Sequence, residues 1–550
     1  MIFLLHVLVW LITVEAKHNV IFLVTDGTGP AAINMARSFK QHLHQINDTD
    51  YDYLRYSNPW NEAQINDAHD IAGDPFEYLL TLDNYLIGTS RTRSSSSLIT
   101  DSAAGATAFS CAIKTYNGAI AVDSNGDPCI TILEKLKGKG FKTGLVVTTG
   151  IEDATPAAFN SHVHDRSQLE EIAEQQVGFN YRSKRDAITT NIFKAKGMID
   201  DSDVLSQNFR KSFNEDAKID NHIFGLDLQN EGNDDQINHF TPVTDLMIGG
   251  GSCFYLPAGP GSCRRDNVDL IKYAQAINFT TALNINEFNN WKLGKNVTLP
   301  ALALLAPFNI PYELDRDSKI YPSIHDEVVT ALTILNDATK NSENGFFLMI
   351  EGSRIDHAGH HNDPQASVRE VLAYDKAFRA VRDFIDASDI PTVMLATSDH
   401  ETGGLTVGLQ VGKEYPEYKW DPEVLRRAQH SGEWIRQDLI KFLKPGITEG
   451  EIYGKVSEIL NILGLKRNEI KKEEIIHLVN LLISNEIDTA VKKFKKLVSR
   501  QAYVGWTTEG HTAVDVNIYG YDGKWDILKD FKGAKENIQI GDFLNSLIDL

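Results

Sequence analysis

With 550 residues, the chain can bury a large core and exceeds what one domain usually holds, so a big domain with insertions, or two domains, is expected. Its 42% apolar and 23% charged composition is that of an ordinary globular protein. The formal net charge of -21 argues against nucleic-acid binding, which needs clustered Lys and Arg, and means that an anionic substrate would require local cations such as bound metal.

Residues 1–14 are apolar except for His6 and Thr13, and Val14-Glu15-Ala16 follows with small residues where a signal peptidase reads. The segment is short for a membrane span and reads as a secretory signal over 1–16, leaving 17–550 as the mature chain. The missing basic n-region keeps an uncleaved anchor open as the alternative. The sequons Asn47-Asp48-Thr49, Asn278-Phe279-Thr280 and Asn296-Val297-Thr298 agree with a secretory route. Among four cysteines, Cys253 and Cys263 lie close together in a Gly- and Pro-rich loop and predict a local disulfide. Cys111 reads as a buried thiol, and Cys129 has no obvious partner. The C-terminus, ending Leu547-Ile548-Asp549-Leu550, lacks the long hydrophobic tail of a lipid-anchored precursor, so no stable membrane anchor is expected.

Four short continuous apolar runs, Val20 to Val24, Gly144 to Val147, Phe346 to Ile350 and Val393 to Ala396, predict strands buried on both faces of a parallel sheet. From Gln365 to Asp386, apolar residues recur at three- and four-residue steps behind Pro364, which predicts a helix. The fold class is therefore α/β. Two stretches read as insertions. Residues 181–238 are polar, rich in Asn and Asp, and weakly periodic. Residues 448–500 open on a capping-box pattern, Thr448 with Glu451, and continue as three amphipathic helices, a small helical subdomain whose stripes are most simply its own core.

The chemistry begins at Thr100-Asp101-Ser102-Ala103-Ala104-Gly105-Ala106-Thr107-Ala108, where one hydroxyl and one carboxylate precede residues too small to shield them. Such a run suits a turn into a helix whose N-terminal N–H groups face an anion, although small-residue runs also serve only to let helices pack closely. Ser102 needs an activating partner to be a nucleophile. The predicted strands run into Asp26, Glu351 and Asp399-His400, and ligand sites in open α/β sheets lie beyond the carboxyl ends of strands. So many carboxylates in one crevice repel unless a cation lies between them. Asp356 and His360, four apart, would point at a common cation from one helical turn, and His511 could add a third imidazole. Mixed imidazole and carboxylate sets suit zinc, while an oxygen set of Asp26, Glu351 and a threonine hydroxyl suits magnesium. Two close metals would clamp the oxygens of an in-line displacement and activate Ser102 for phosphoryl transfer from a monoester. Arg166, in His162-Val163-His164-Asp165-Arg166, offers a forked cation for the phosphoryl oxygens.

These residues resemble the alkaline phosphatase family. The resemblance is carried, in the family's order, by Asp26-Gly27-Thr28-Gly29, Thr100 through Thr107, Asp153-Ala154-Thr155-Pro156-Ala157-Ala158, Glu351 through His360, Asp399-His400-Glu401 and Gly510-His511-Thr512. Thr81-Leu82-Asp83, Arg91 to Ser97 and Lys114-Thr115-Tyr116-Asn117-Gly118 look closest to its fungal vacuolar branch. The resemblance implies a three-layer α/β/α fold with a large, mostly parallel sheet, and hydrolysis of phosphate monoesters through a phosphoserine at alkaline pH. Two zinc ions and one magnesium ion are implied as cofactors. Ser102 matches the nucleophile and Arg166 the phosphate-binding arginine, with Asp101 as its salt-bridge partner. Asp356, His360 and His511 match one zinc site, Asp26, Asp399 and His400 the other, and Asp26, Thr155 and Glu351 the magnesium site. Asp153 and His357 match two positions just behind the ligands, where family members differ. A homodimer in the secretory pathway, either secreted or in the vacuolar lumen, is also implied. The helical stretch 448–500 would stand where the animal enzymes carry a more sheet-like crown. Two alternatives stay open: a two-metal phosphodiesterase of the same superfamily, and an inactive secreted binding protein that keeps the fold.

Overall fold

The four apolar runs become the four adjacent central strands of one large sheet. In the computed structural model, which describes residues 17–46, 56–60, 79–179 and 242–549, the strands in chain order begin β1 (Asn19–Val24), β2 (Leu86–Arg91), β3 (Lys142–Gly150), β4 (Leu246–Gly250), β5 (Thr280–Ala282), β6 (Ala301–Leu304), β7 (Phe346–Glu351) and β8 (Thr392–Thr397). They continue with the two-residue strands β9 (Glu401–Thr402), β10 (Thr406–Val407), β11 (Val504–Gly505) and β12 (His511–Thr512), and end with β13 (Val516–Tyr521) and β14 (Gly533–Glu536). Ten of them form one sheet in the order β14-β2-β13-β8-β1-β7-β3-β4-β6-β5. Its pairings are parallel except for β13, which runs antiparallel to both β2 and β8. The predicted signal segment 1–16, the polar stretch 181–238 and the Asn47 sequon lie outside the described residues.

The alternation of side chains along a strand explains the layers. Ile21 and Leu23 of β1 join one apolar cluster, while Val20, Phe22 and Val24 join the cluster on the opposite face. β7 divides in the same way, with Phe346, Leu348 and Ile350 on one side and Phe347 and Met349 on the other. Helices cover both faces: Pro30–Gln45, Ile324–Thr339 and Pro364–Ala387 on the first, Ile132–Gly138, Leu270–Ala276 and Asn537–Ser546 on the second. Each fully buried large aliphatic or aromatic side chain contributes about 1.5–3 kcal/mol, so the central strands form a stiff base for whatever emerges from their ends. Among the described residues, no helix is long and apolar enough to cross a membrane.

The 448–500 stretch folds as Glu449–Ile462, Lys472–Ile483 and Ile487–Ala502, and the Thr448/Glu451 capping box forms. Its apolar stripe is not a core of its own. Val456, Ile459, Leu478, Phe494 and Val498 belong to the same continuous cluster as Ile21 and Phe378, because the helices Pro422–Arg427 and Gly432–Phe442 bridge them to the body of the protein.

The reading of Cys111 as a thiol is corrected. Cys111 is bonded to Cys129, with Cα atoms 6.0 Å apart, and Cys253 is bonded to Cys263. The Ser102–Cys111 helix stops at Ala112 in the left-handed conformation, and the following loop doubles back until the Cys129 N–H donates to the Ala121 carbonyl, which brings the two sulfurs together. Asn278 and Asn296, the two sequon asparagines within the described residues, are both exposed.

Candidate metal centre and nucleophile

The parallel register delivers the acidic residues to one level. Val24 of β1 pairs with Glu351 of β7 and with Thr397 of β8, and Val147 of β3 also pairs with Glu351. Asp26, Glu351 and Asp399 therefore leave three neighbouring strands within a few residues of the same line. Gly27 makes this crowding possible: its φ is +72°, and a Cβ there would lie 2.6 Å from the Asp356 Cα. Its N–H donates to Asp399 Oδ1 at 3.1 Å.

Two groups of side chains could each hold a cation. One is Asp26, Asp399 and His400; the other is Asp356, His400 and His511. In the first, His400 Nε2 is 3.1 Å from Asp399 Oδ2 and 3.6 Å from Asp26 Oδ1. Around the second, His360 Nε2 lies 3.3 Å from Asp356 Oδ2 and 3.1 Å from His511 Nε2. The short helix Arg354–His360 supplies both Asp356 and His360 from one face, and the β9–β12 pairing sets His511 opposite Thr402. The His400 and His511 rings stack with centroids 3.5 Å apart, which joins the groups into one cluster.

Each imidazole is anchored through its Nδ1. His360 Nδ1 meets the Glu509 carbonyl at 2.5 Å, and His511 Nδ1 meets the Thr100 carbonyl at 2.8 Å. A carbonyl only accepts, so both Nδ1 atoms carry hydrogen and both Nε2 atoms turn lone pairs inward. His400 reaches the same state through Thr402. The Thr402 hydroxyl donates to Asp356 Oδ1 at 2.6 Å, which leaves its oxygen to accept from His400 Nδ1 at 3.2 Å.

A third set is made only of oxygens. Thr155 lies in the first turn of the helix Ala154–Asn160, capped by Asp153, and its buried hydroxyl is beside the Glu351 carboxylate. Ser353 donates to Glu351 Oε2 at 2.7 Å and accepts from the Thr148 N–H at 3.2 Å, which fixes the carboxylate.

The electrostatics of the cluster favour positive charge within it. Burial, with Asp399, Asp356, Glu351 and Asp153 nearby, raises the Asp26 carboxyl well above the usual carboxylate range. Burial likewise pushes Glu351 up to about 8. Asp26 Oδ1, Asp399 Oδ2 and the Thr155 hydroxyl are buried without hydrogen-bond partners. Inward lone pairs, orphaned oxygens and mutually repelling carboxylates are the donor set that divalent cations satisfy, mixed N/O for zinc and all-oxygen for magnesium.

Ser102 is the first residue of the Ser102–Cys111 helix, and its Oγ lies 3.1 Å from His400 Nε2. Asp101 caps that helix: Oδ1 accepts from the Ala104 N–H at 3.0 Å, and Oδ2 accepts from the Gly118 N–H at 2.9 Å. The Arg166 N–H donates to the Gly118 carbonyl, so one loop ties the Ser102–Cys111 helix to the arginine. Arg166 reaches Asp153 Oδ1 at 3.1 Å and Asp101 Oδ2 at 3.6 Å, so Asp153 is the closer of its two counter-charges and Asp101 is chiefly a helix cap. His357 lies on the same short helix as Asp356 and His360; burial and the nearby Arg354 push its imidazole down to about 4.

The structure thus gathers Asp26, Ser102, Thr155, Glu351, Asp356, His360, Asp399, His400 and His511 around one crevice, with Asp101, Asp153, Arg166 and His357 at its edge. Sequence reasoning missed Thr402 and Ser353. Thr402 had a legible signal: two residues beyond His400 on an extended segment, it shares that side chain's face.

Comparison with known proteins agrees with this architecture. The profile of the family described as Alkaline phosphatase matches residues 63–222 and 204–550. The repressible alkaline phosphatase of Saccharomyces cerevisiae is 40% identical, over 97% of this chain and 82% of the relative. The alkaline phosphatase of Schizosaccharomyces pombe is 37% identical, over 98% and 82%. Among solved structures, a cold-active alkaline phosphatase from Shewanella sp. superposes with a TM-score of 0.66 at 25% identity, covering 96% of this chain and 99% of its own. The Thermus thermophilus enzyme superposes with a TM-score of 0.67 at 22% identity, covering 96% and 91%, and shares the fold. The chain belongs to the alkaline phosphatase family.

Proposed function

We propose that this protein hydrolyses phosphate monoesters to an alcohol and inorganic phosphate through a phosphoserine formed on Ser102. The observation that carries the reading is the position of Ser102 Oγ, at a helix N-terminus and 3.1 Å from an inward-facing His400 Nε2 in a crevice of unsatisfied carboxylates. Asp26, Asp399 and His400 would hold one zinc, Asp356, His360 and His511 a second, and Asp26, Thr155 and Glu351 a magnesium. When bound, these ions supply the positive charge that favours the Ser102 alkoxide, activates water and neutralises the phosphoryl oxygens.

The chain's own residues do the rest. Ser102 Oγ attacks phosphorus, the bond from phosphorus to the alcohol oxygen breaks, and the alcohol departs; water then attacks phosphorus, breaks its bond to Oγ and releases phosphate. The Arg166 guanidinium, fixed by Asp153 and Asp101, presents two donors to the equatorial oxygens. The N-terminus of the Ser102–Cys111 helix adds its positive end at the same place. Thr402, Glu509 and Thr100 hold the three imidazoles in the orientation that keeps Nε2 inward. Asp153 and His357, just behind the ligands, would tune magnesium affinity and turnover.

The test is hydrolysis of an aryl phosphate monoester against the corresponding diester by the purified protein. Monoester turnover far above diester turnover, greatest at alkaline pH, abolished by a chelator and restored by zinc with magnesium, is expected. Equal or faster diester cleavage would show a phosphodiesterase, and a fully metal-loaded protein without turnover would show a binding protein. A homodimer in a secreted or vacuolar compartment completes the proposal. Sedimentation of the purified protein and fractionation of the cells that make it would test these points.

A further inference from the structure

The helices between Pro422 and Ala502 contribute no side chain to the proposed metal groups, yet they grip the elements that do. The short helix Arg354–His360, which carries Asp356 and His360, is held at both ends. At its start, Arg354, 2% exposed, pairs with Glu433 of the helix Gly432–Phe442 at 2.7 Å and lies over the Tyr312 ring. At its end, the Lys495 ammonium donates to the carbonyl of the C-cap residue His361.

Lys495 is 7% exposed and belongs to the helix Ile487–Ala502. Its counter-charge is Asp363, the N-cap of the next helix, whose Oδ2 also accepts from the Gly432 N–H at 2.6 Å. Residue 432 is glycine because the lysine stem passes there: a Cβ would lie 2.5 Å from Lys495 Cδ. A cation at a helix C-terminus facing its last carbonyls is favourable, and here it fixes the corner at which the metal-bearing helix ends.

The same helix reaches the other side of the cluster. Lys492, one turn before Lys495, pairs with Glu509 at 2.8 Å, and the Glu509 carbonyl is the acceptor that orients His360. Ser499 accepts from Trp506 Nε1 at 3.1 Å, and Asn362 donates to the Thr508 carbonyl at 2.9 Å, so the chain from this helix to His511 is pinned along its length.

We infer that the Ile487–Ala502 helix is a strut that sets the geometry of the Asp356/His360/His511 group, with Lys495 as its positioning residue. The inference rests on the zinc reading given under Proposed function. It also gives the helical layer a role in catalysis that needs no contact with substrate.

The experiment is zinc titration of the chelator-stripped full-length protein against a chromophoric chelator, in the wild type and in Lys495→Met, Lys495→Arg, His360→Ala and Lys495→Met/His360→Ala variants. Loss of an orienting partner behind a ligand weakens metal binding about 10–100-fold, so Lys495→Met should weaken one of two zinc sites by at least about tenfold and leave the other unchanged. Lys495→Arg should recover most of that loss. In the His360→Ala background, Lys495→Met should add nothing. Lys492→Glu, at an exposed pair that does not govern folding, should weaken the same site about threefold, and it decides the matter alone if Lys495→Met fails to fold. Unchanged zinc affinity in the lysine variants, or a lowered melting temperature of the metal-free protein with zinc affinity intact, would overturn the inference. A wild type whose zinc uptake does not depend on His360 would instead overturn the metal reading on which it rests.

Discussion

Replacing Thr402 with valine removes one hydroxyl and keeps the branched shape at a site only 3% exposed. That hydroxyl donates to Asp356 Oδ1 at 2.6 Å and accepts from His400 Nδ1 at 3.2 Å, so one atom orients a residue in each of the two groups that could hold a cation. A hydrogen bond to a charged partner is worth about 1.5–3 kcal/mol net, which corresponds to roughly a 10- to 150-fold change in an equilibrium constant. Partners that orient metal ligands give a similar range, about 10- to 100-fold. Thr402→Val should therefore weaken zinc binding by at least about tenfold, and His400, without its Nδ1 acceptor, should lose its preference for an inward lone pair. The Thr402 N–H still donates to the Gly27 carbonyl and the Gly403 N–H to the Gly510 carbonyl, so the backbone around β9 and β12 should survive. Chelator competition on the metal-free protein measures the affinity, and a melting curve of the same sample checks the fold. A change below about threefold with the fold intact would refute the argument that Thr402 sets the tautomer.

Glu152 gives a pH prediction. Burial pushes its carboxyl from 4.5 up to about 8, it is 4% exposed, and its Oε2 has no hydrogen-bond partner. Between those two values the folded protein holds a proton that the unfolded chain releases, so stability is full below the unfolded pKa and falls as pH rises through the folded one, by up to about 5 kcal/mol. Glu152→Gln should flatten the fall in denaturant midpoint over that window; parallel wild-type and variant profiles would contradict it. Removing both Cys111 and Cys129 as alanines should cost about 3 kcal/mol in denaturant unfolding, since the bridge spans 18 residues. It should also raise KM for a monoester, because the closed loop carries Gly118, whose N–H and carbonyl bond to Asp101 and to the Arg166 backbone. An unchanged KM would show that the loop keeps its shape without the bridge.

The central strands were legible because β1, β3, β7 and β8 are buried on both faces and so read as unbroken apolar runs. The acidic residues at their ends stood out because carboxylates directly after such runs have few structural uses. What escaped notice depends on distant contacts. Cys129 finds Cys111 only because a loop doubles back through Ala121, and nothing in its local sequence marks that return. The stripes of the three helices after Thr448 looked like a private core because a helical period shows which face is apolar without naming its partner; their partners include Val424, Ile435 and Leu439 of the preceding helices. Asp101 pairs with Arg166 as its place beside Ser102 suggests, but its capping of the Ser102–Cys111 helix and the closer pair that Asp153 makes with the guanidinium from the end of β3 depend on contacts the local sequence does not show.

The central claim is that a phosphoryl group passes through Ser102. Acid quenching of the metal-loaded protein during turnover of a monoester, followed by digestion and mass spectrometry, tests it most directly. One phosphate on the peptide containing Ser102, absent from a Ser102→Ala variant that still binds its metals, is the predicted result. Steady monoester turnover with Ser102 unmodified, or a Ser102→Ala variant that keeps wild-type turnover, would contradict it.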